Sequence, residues 1–127
     1  MLPADARLTH RDDFSSVIRR GRRAGRTLVV MHVLMPDQLV GRLVGTPTRS
    51  RVGFVVSKAV GGAVVRNRVR RRLRHLARGY LGSLPEGSLL VVRANPRAAT
   101  ARQADLAAEL DLVIHALLRR QGGTQRP

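Results

Sequence analysis

The side chains of this 127-residue chain that could do chemistry are mostly guanidinium groups. The stretch VVRNRVRRRLRHLARGYL, residues 64–81, carries Arg66, Arg68, Arg70, Arg71, Arg72, Arg74 and Arg78. An arginine fork binds phosphate bidentately and stacks on bases, so the chemistry on offer is recognition of a polyanion. The groups that break bonds do not assemble. His10, His32, His75 and His115 are scattered without metal-ligand spacing. Asp12 and Asp13 fit the first turn of a helix, where they complement its dipole. Asp105, Glu109 and Asp111 read as the outward face of the last helix, without the enclosure that an acid–base pair needs. No Ser-His-Asp arrangement presents itself, there is no cysteine, and no carboxylate lies between Lys58 and Glu86 to serve a two-metal nuclease. No catalytic residue and no metal ligand is therefore assigned.

Composition sets the frame in which these arginines act. Twenty-four basic residues against 8 acidic give a net charge of +16, and Lys58 is the lone lysine. Such charge opposes compaction and favours a polyanionic partner that neutralises it. Nucleic acid fits better than an acidic membrane surface, because no basic stretch is backed by the bulky apolar face of an interfacial helix. A hydrophobic share of 43% supports a packed core, and the length suits one domain over 1–120 with a mobile tail over 121–127. Neither a signal-peptide pattern nor a membrane span is present, so a cytoplasmic location is expected.

The elements that must position the arginines follow from periodicity and turn chemistry. Thr9 can cap a helix over 10–20 that ends at Gly21, with Phe14, Val17 and Ile18 as its apolar stripe. TLVVMHVLM (27–35) and RVGFVVSK (51–58) read as strands, with Phe54 and Val56 in the core. The glycine- and proline-bearing stretch 38–50 reads as a long connection. GSLLVVRAN (87–95) is a third strand. Thr100 and Gln103 form a capping box for a final helix reaching about residue 120, whose core face is Leu106, Leu110, Val113, Ile114 and Leu117. This order predicts an α/β (α+β) two-layer sandwich, a small mixed sheet with helices packed against it.

The arginine stretch itself has helical geometry. At about 100° per residue, Val65, Val69, Leu73, Leu76 and Tyr80 share one stripe, while Asn67, Arg70, Arg71, Arg74 and Arg78 face away. Arg66 and Arg72 flank the stripe, where their aliphatic stems can cover it. A solvated face normally mixes charge signs, whereas Arg66, Arg70, Arg74 and Arg78 repeat like charge every turn at a cost to the helix. Phosphates would offset that cost. The preceding SKAVGGAV, a strand end followed by Gly61-Gly62 and a helix start, adds backbone N–H groups able to meet an anion.

Across VSKAVGGAVVRNRVRRRLRHLAR the chain resembles the bacterial ribonuclease P protein subunit family, whose signature runs Ser-Lys, Gly, Ala-Val and then Arg-Asn-Arg. LTHRDDFSSVIRRGRRA and LLVVRANPRAA extend the resemblance, in the expected order, over most of residues 8–99. It implies that the protein assists a large catalytic RNA, which holds the active site and its Mg²⁺ ions and removes the 5′ leader from precursor tRNA. No cofactor would be bound by protein side chains. Arg66, Asn67, Arg68, Arg70, Arg71 and Arg74 match positions that face the catalytic RNA. Phe14, Ile18 and Met31 match the leader-binding cleft, with Ser57 and Lys58 at its edge. The family often has aromatic residues in place of Ile18 and Met31, so a cleft keeping only Phe14 would grip more by shape and charge. The implied fold is like the second domain of ribosomal protein S5, with a left-handed crossover through the arginine helix, where about 98% of such crossovers are right-handed. The implied partners are the catalytic RNA and precursor tRNA, with a protein monomer in a 1:1 complex and no membrane. The alternative on the same charge and fold is a ribosomal or assembly RNA-binding protein without a role in cleavage.

Overall fold

The computed structural model describes residues 7–8, 11–35, 50–85 and 87–123. The capping role of Thr9 and the connection over 38–49 lie outside these residues. Among these residues, three α-helices, α1 (Arg11–Arg20), α2 (Ala63–Ala77) and α3 (Gln103–Gly123), accompany four strands, β1 (Arg22–Gly25), β2 (Val29–Leu34), β3 (Arg51–Val55) and β4 (Leu89–Ala94). The sheet order is β1-β2-β4-β3. β2 pairs antiparallel with β1 and β4, whereas β3 and β4 run parallel and are joined through α2. The sheet is thus mixed, with helices against it, as the element order predicts.

Side-chain alternation sorts the core into two clusters. Val29, Met31, Val33, Val52, Leu90 and Val92 face α2 and α3, where they meet Val69, Leu73, Leu106, Leu110, Ile114 and Leu117. Leu34, Leu89 and Val91 face the other way, toward Leu8 and Val17 of the N-terminal segment and α1. Helices α2 and α3 form the main layer, and α1 covers part of the opposite sheet face.

Strand β1 is absent from the sequence-based expectation. Its residues, RRAG, have no β signature of their own, and its strand state comes from pairing with β2, Arg22 opposite Val33 and Gly25 opposite Val30. The Thr100–Gln103 capping box does not form. The Thr100 N–H instead closes a short 3₁₀ turn over Pro96–Ala99 by donating to the Arg97 carbonyl, and α3 begins only at Gln103. That helix runs to Gly123, past the boundary expected at residue 120, and residues 124–127 of the proposed tail lie outside the described region. The arginine stretch is α-helical to Ala77 and tightens into a 3₁₀ turn over Arg78–Ser83.

Candidate RNA-binding surface

Helix α2 docks by the stripe read from the sequence. Val69 and Leu73 are fully buried, and Val65, Leu76 and Tyr80 pack against the same core. Burial of a side chain such as Leu73 contributes roughly 1.5–3 kcal/mol, so this stripe fixes the rotation of the helix and the direction of its arginines. Asn67, Arg68, Arg71 and Arg78 are exposed, and Arg66, Arg70 and Arg74 are half-buried. Asn67 Oδ1 accepts a hydrogen bond from Arg70 Nη1 at 3.0 Å, which orients that guanidinium. The buried Nε of Arg66 has no hydrogen-bond partner among the described residues. Arg72 points elsewhere: its Nε donates to Gln103 Oε1 at 2.9 Å and its Nη2 to the Ala101 carbonyl at 2.8 Å. It fastens α2 to the start of α3.

A pocket opens at the outer edge of β3, between α1 and α2. Leu8, Phe14, Val52, Gly53 and Phe54 form its apolar part, and Arg7, Arg70 and Arg74 its cationic part. Phe14 occupies the space that a side chain at Gly53 would fill. Phe54, read from the sequence as core, packs partly against the core and also lines this pocket. The surface therefore offers flat apolar rings beside guanidinium groups, a combination that accepts a nucleobase together with its phosphate. Two of the arginines assigned to the α2 face, Arg70 and Arg74, are brought together here with Phe14.

The remaining cleft residues are spread further. Ile18 is exposed on α1 while its neighbour Val17 is fully buried. Ser57 and Lys58 are exposed in the turn that leads from β3 to α2, where the Ser57 and Lys58 carbonyls accept the N–H groups of Val60 and Gly61. Met31 is not in a cleft with Phe14. It is fully buried among the residues that face α2 and α3, on the sheet face opposite α1. Its neighbour His32 alternates to the α1 side. His32 is 2% exposed, and neither ring nitrogen has a hydrogen-bond partner among the described residues. Burial, with Arg93 and Arg23 nearby, lowers its pKa below the ordinary 6.5. The sequence signal for His32 is a lone polar residue inside an apolar strand.

Glu109 also departs from its expected place on an outward face. It is buried, and its Oε2 accepts the N–H groups of Leu28 at 2.6 Å and Val29 at 2.7 Å. Asp105 and Asp111 are exposed, the first paired with Arg102 and the second accepting from Tyr80. Among the described residues, no three His, Asp or Glu side chains cluster as metal ligands would, and no helix is long and apolar enough to cross a membrane.

The model of the family described as Ribonuclease P matches residues 2–118. This chain belongs to the ribonuclease P protein family. The ribonuclease P protein component of Streptomyces griseus is 54% identical over 121 residues, covering 93% of this chain and 96% of the relative. That of Thermobifida fusca is 50% identical over 122 residues, covering 96% of this chain and 82% of the relative. Among solved structures, the RNase P protein of Staphylococcus aureus superposes with a TM-score of 0.73 at 20% identity, over 87% of this chain and 94% of that one. The RNase P protein of Thermotoga maritima gives 0.67 at 24% identity, over 89% and 96%. Those structures share the fold, and the ribonuclease P relatives give the chain its place as a protein component of that ribonuclease, in tRNA processing.

Proposed function

We propose that the chain binds the catalytic RNA of ribonuclease P through the outward side of α2 and holds the 5′ leader of precursor tRNA beside it. The observation that carries this reading is the pocket in which Phe14 and Phe54 meet Arg70 and Arg74, continuous with the exposed Asn67, Arg68 and Arg71. Arg66, Asn67, Arg68 and Arg71 contact phosphates of the catalytic RNA. Phe14 stacks on a leader base while Arg70 and Arg74 neutralise the adjoining phosphates, with Ile18, Ser57 and Lys58 along the path. On this reading, which the resemblance to the family motivates, the RNA performs the cleavage and carries the Mg²⁺ ions. One protein monomer acts with one RNA, in the cytoplasm.

Reconstitution tests this directly. The protein added to the ribonuclease P RNA of the same genome should accelerate removal of the 5′ leader at low Mg²⁺, where the RNA alone is slow. A protein that binds RNA but gives no acceleration belongs to the alternative class of ribosomal or assembly factors.

A further inference from the structure

The turn that joins β1 to β2 is held from several sides. Arg26 N–H donates to the Val29 carbonyl at 2.9 Å, and Asn95 N–H donates to the Leu28 carbonyl at 2.8 Å. The Asn95 side-chain amide donates to the carbonyls of both Arg26 and Thr27, at 3.0 Å each. Buried Glu109 holds the next two N–H groups, those of Leu28 and Val29. Hairpin turns at a sheet edge are ordinarily among the looser parts of a fold. This one is fixed to β4 and to α3.

What the fixed turn presents is cationic. Arg26 and Arg97 are exposed, the latter two residues beyond Asn95, and Arg22 is partly exposed on β1. None of the three makes an ion pair with a described residue. From Phe14 to Ala104 the chain has only Asp37 and Glu86 as acidic residues. The chain's three aromatic residues lie elsewhere: Phe14 and Phe54 line the β3-edge pocket, and Tyr80 bonds to Asp111. A surface that binds unpaired strands uses rings for base stacking, and this corner has none. Guanidinium groups on a rigid frame suit backbone phosphates of a paired segment, whose bases are turned inward. The β1–β2 turn is also set apart from the β3-edge pocket. β1 lies at one edge of the sheet and β3 at the other, three strand spacings or about 14 Å away.

We infer that Arg26 and Arg97, on the turn held by Asn95 and Glu109, form together with Arg22 further along β1 a second RNA-binding surface that takes the phosphate backbone of a base-paired segment. The protein thereby holds two RNA segments at once, one at each edge of its sheet.

The test is a bridging assay with the full chain, in which one RNA hairpin is captured on a surface and a second, fluorescent hairpin is added. Wild-type protein should recruit the second hairpin. The triple variant Arg22→Gln, Arg26→Gln, Arg97→Gln should lose recruitment about tenfold or more, with the log-log salt dependence of hairpin binding shallower by about 2 to 3 units, at roughly 0.7 to 0.9 for each phosphate no longer neutralised. Wild-type recruitment by a folded triple variant overturns the inference, whatever becomes of the α2 face. That face is read separately with Arg68→Gln, Arg71→Gln. Preference of the wild-type corner for an unpaired oligonucleotide over the hairpin, measured in that α2 variant, also overturns it. Should the triple variant unfold, Arg26→Gln alone serves, and its salt slope should be shallower by about one unit.

Discussion

Phe14 owes its position to Gly53, since the ring lies where a side chain at residue 53 would have to go. A methyl group at residue 53 would collide with the ring and approach Leu8 Cβ to 3.1 Å. Gly53→Ala should therefore destabilise the fold by about 1–3 kcal/mol, as overpacking does, and push Phe14 from its seat. Phe14→Ala should lower the preference for leader-bearing over mature tRNA, and Gly53→Ala should lower it too. Binding of both RNAs to each variant checks this, and undiminished preference in Phe14→Ala removes the ring from the leader path. That Met31 turns away from α1 is hidden in the sequence for a physical reason. Residues 29–35 are apolar on both sides because both faces of β2 are covered, so the strand lacks the alternation that would show which of Met31 and His32 turns toward α1. His32 can be tested by pH. Burial first, then Arg93 and Arg23, hold it neutral in the native state, while the unfolded chain protonates near the ordinary 6.5. Below about 6.5 the unfolded state binds more protons, so stability should fall with pH until the native imidazole also titrates. His32→Leu should flatten that fall in urea unfolding between about pH 7 and pH 5.5; an unchanged profile would assign the pH dependence to other groups.

At the scale of elements, α2 is fully legible because its apolar residues keep helical spacing through an otherwise basic stretch. Its function can be separated from its packing. Replacing Arg66, Arg68 and Arg71 with Ala leaves Val69 and Leu73 in place, so the fold should persist while affinity for the catalytic RNA drops and the salt slope flattens by roughly 0.7–0.9 for each phosphate that these arginines neutralise. A full salt slope in that variant would refute phosphate binding by these residues. Strand β1 and the start of α3 are not legible, because both are decided by distant partners. RRAG becomes a strand only beside β2, and Gln103 serves Arg72 of α2 in place of a cap at Thr100. Glu109 belongs with them, since a carboxylate at a helical position says nothing about the two strand N–H groups that it meets across the fold. Its removal should be costly. Glu109→Ala strands the buried Val29 N–H and half-buried Leu28 N–H, for a loss of about 1–3 kcal/mol. The urea midpoint should drop at constant slope, with Glu109→Gln recovering part of it by keeping an acceptor oxygen.

For the whole molecule, the net charge of +16 is distributed over surfaces that carry few compensating carboxylates. The α2 face, the pocket arginines and the β1–β2 corner are each held in shape by packing or hydrogen bonds, so like charges are kept close together in the native state. Unfolding lets them separate. Repulsion therefore acts against the fold in the absence of RNA, and an anion that settles among the arginines acts for it. Because an extended chain disperses these groups, a divalent anion binds the native state preferentially and raises stability by RT ln(1 + [L]/Kd), about 2.7 kcal/mol at a hundredfold excess over Kd. Sulfate should raise the thermal midpoint well beyond what chloride does at the same ionic strength, since general screening is common to both salts and site occupancy is not. The increment should shrink in the Arg66, Arg68, Arg71 alanine variant, in which part of the anion site is gone. Equal midpoints in sulfate and chloride would mean that the arginines are spaced too widely in the free protein to share an anion, and that the surface is completed only when RNA arrives.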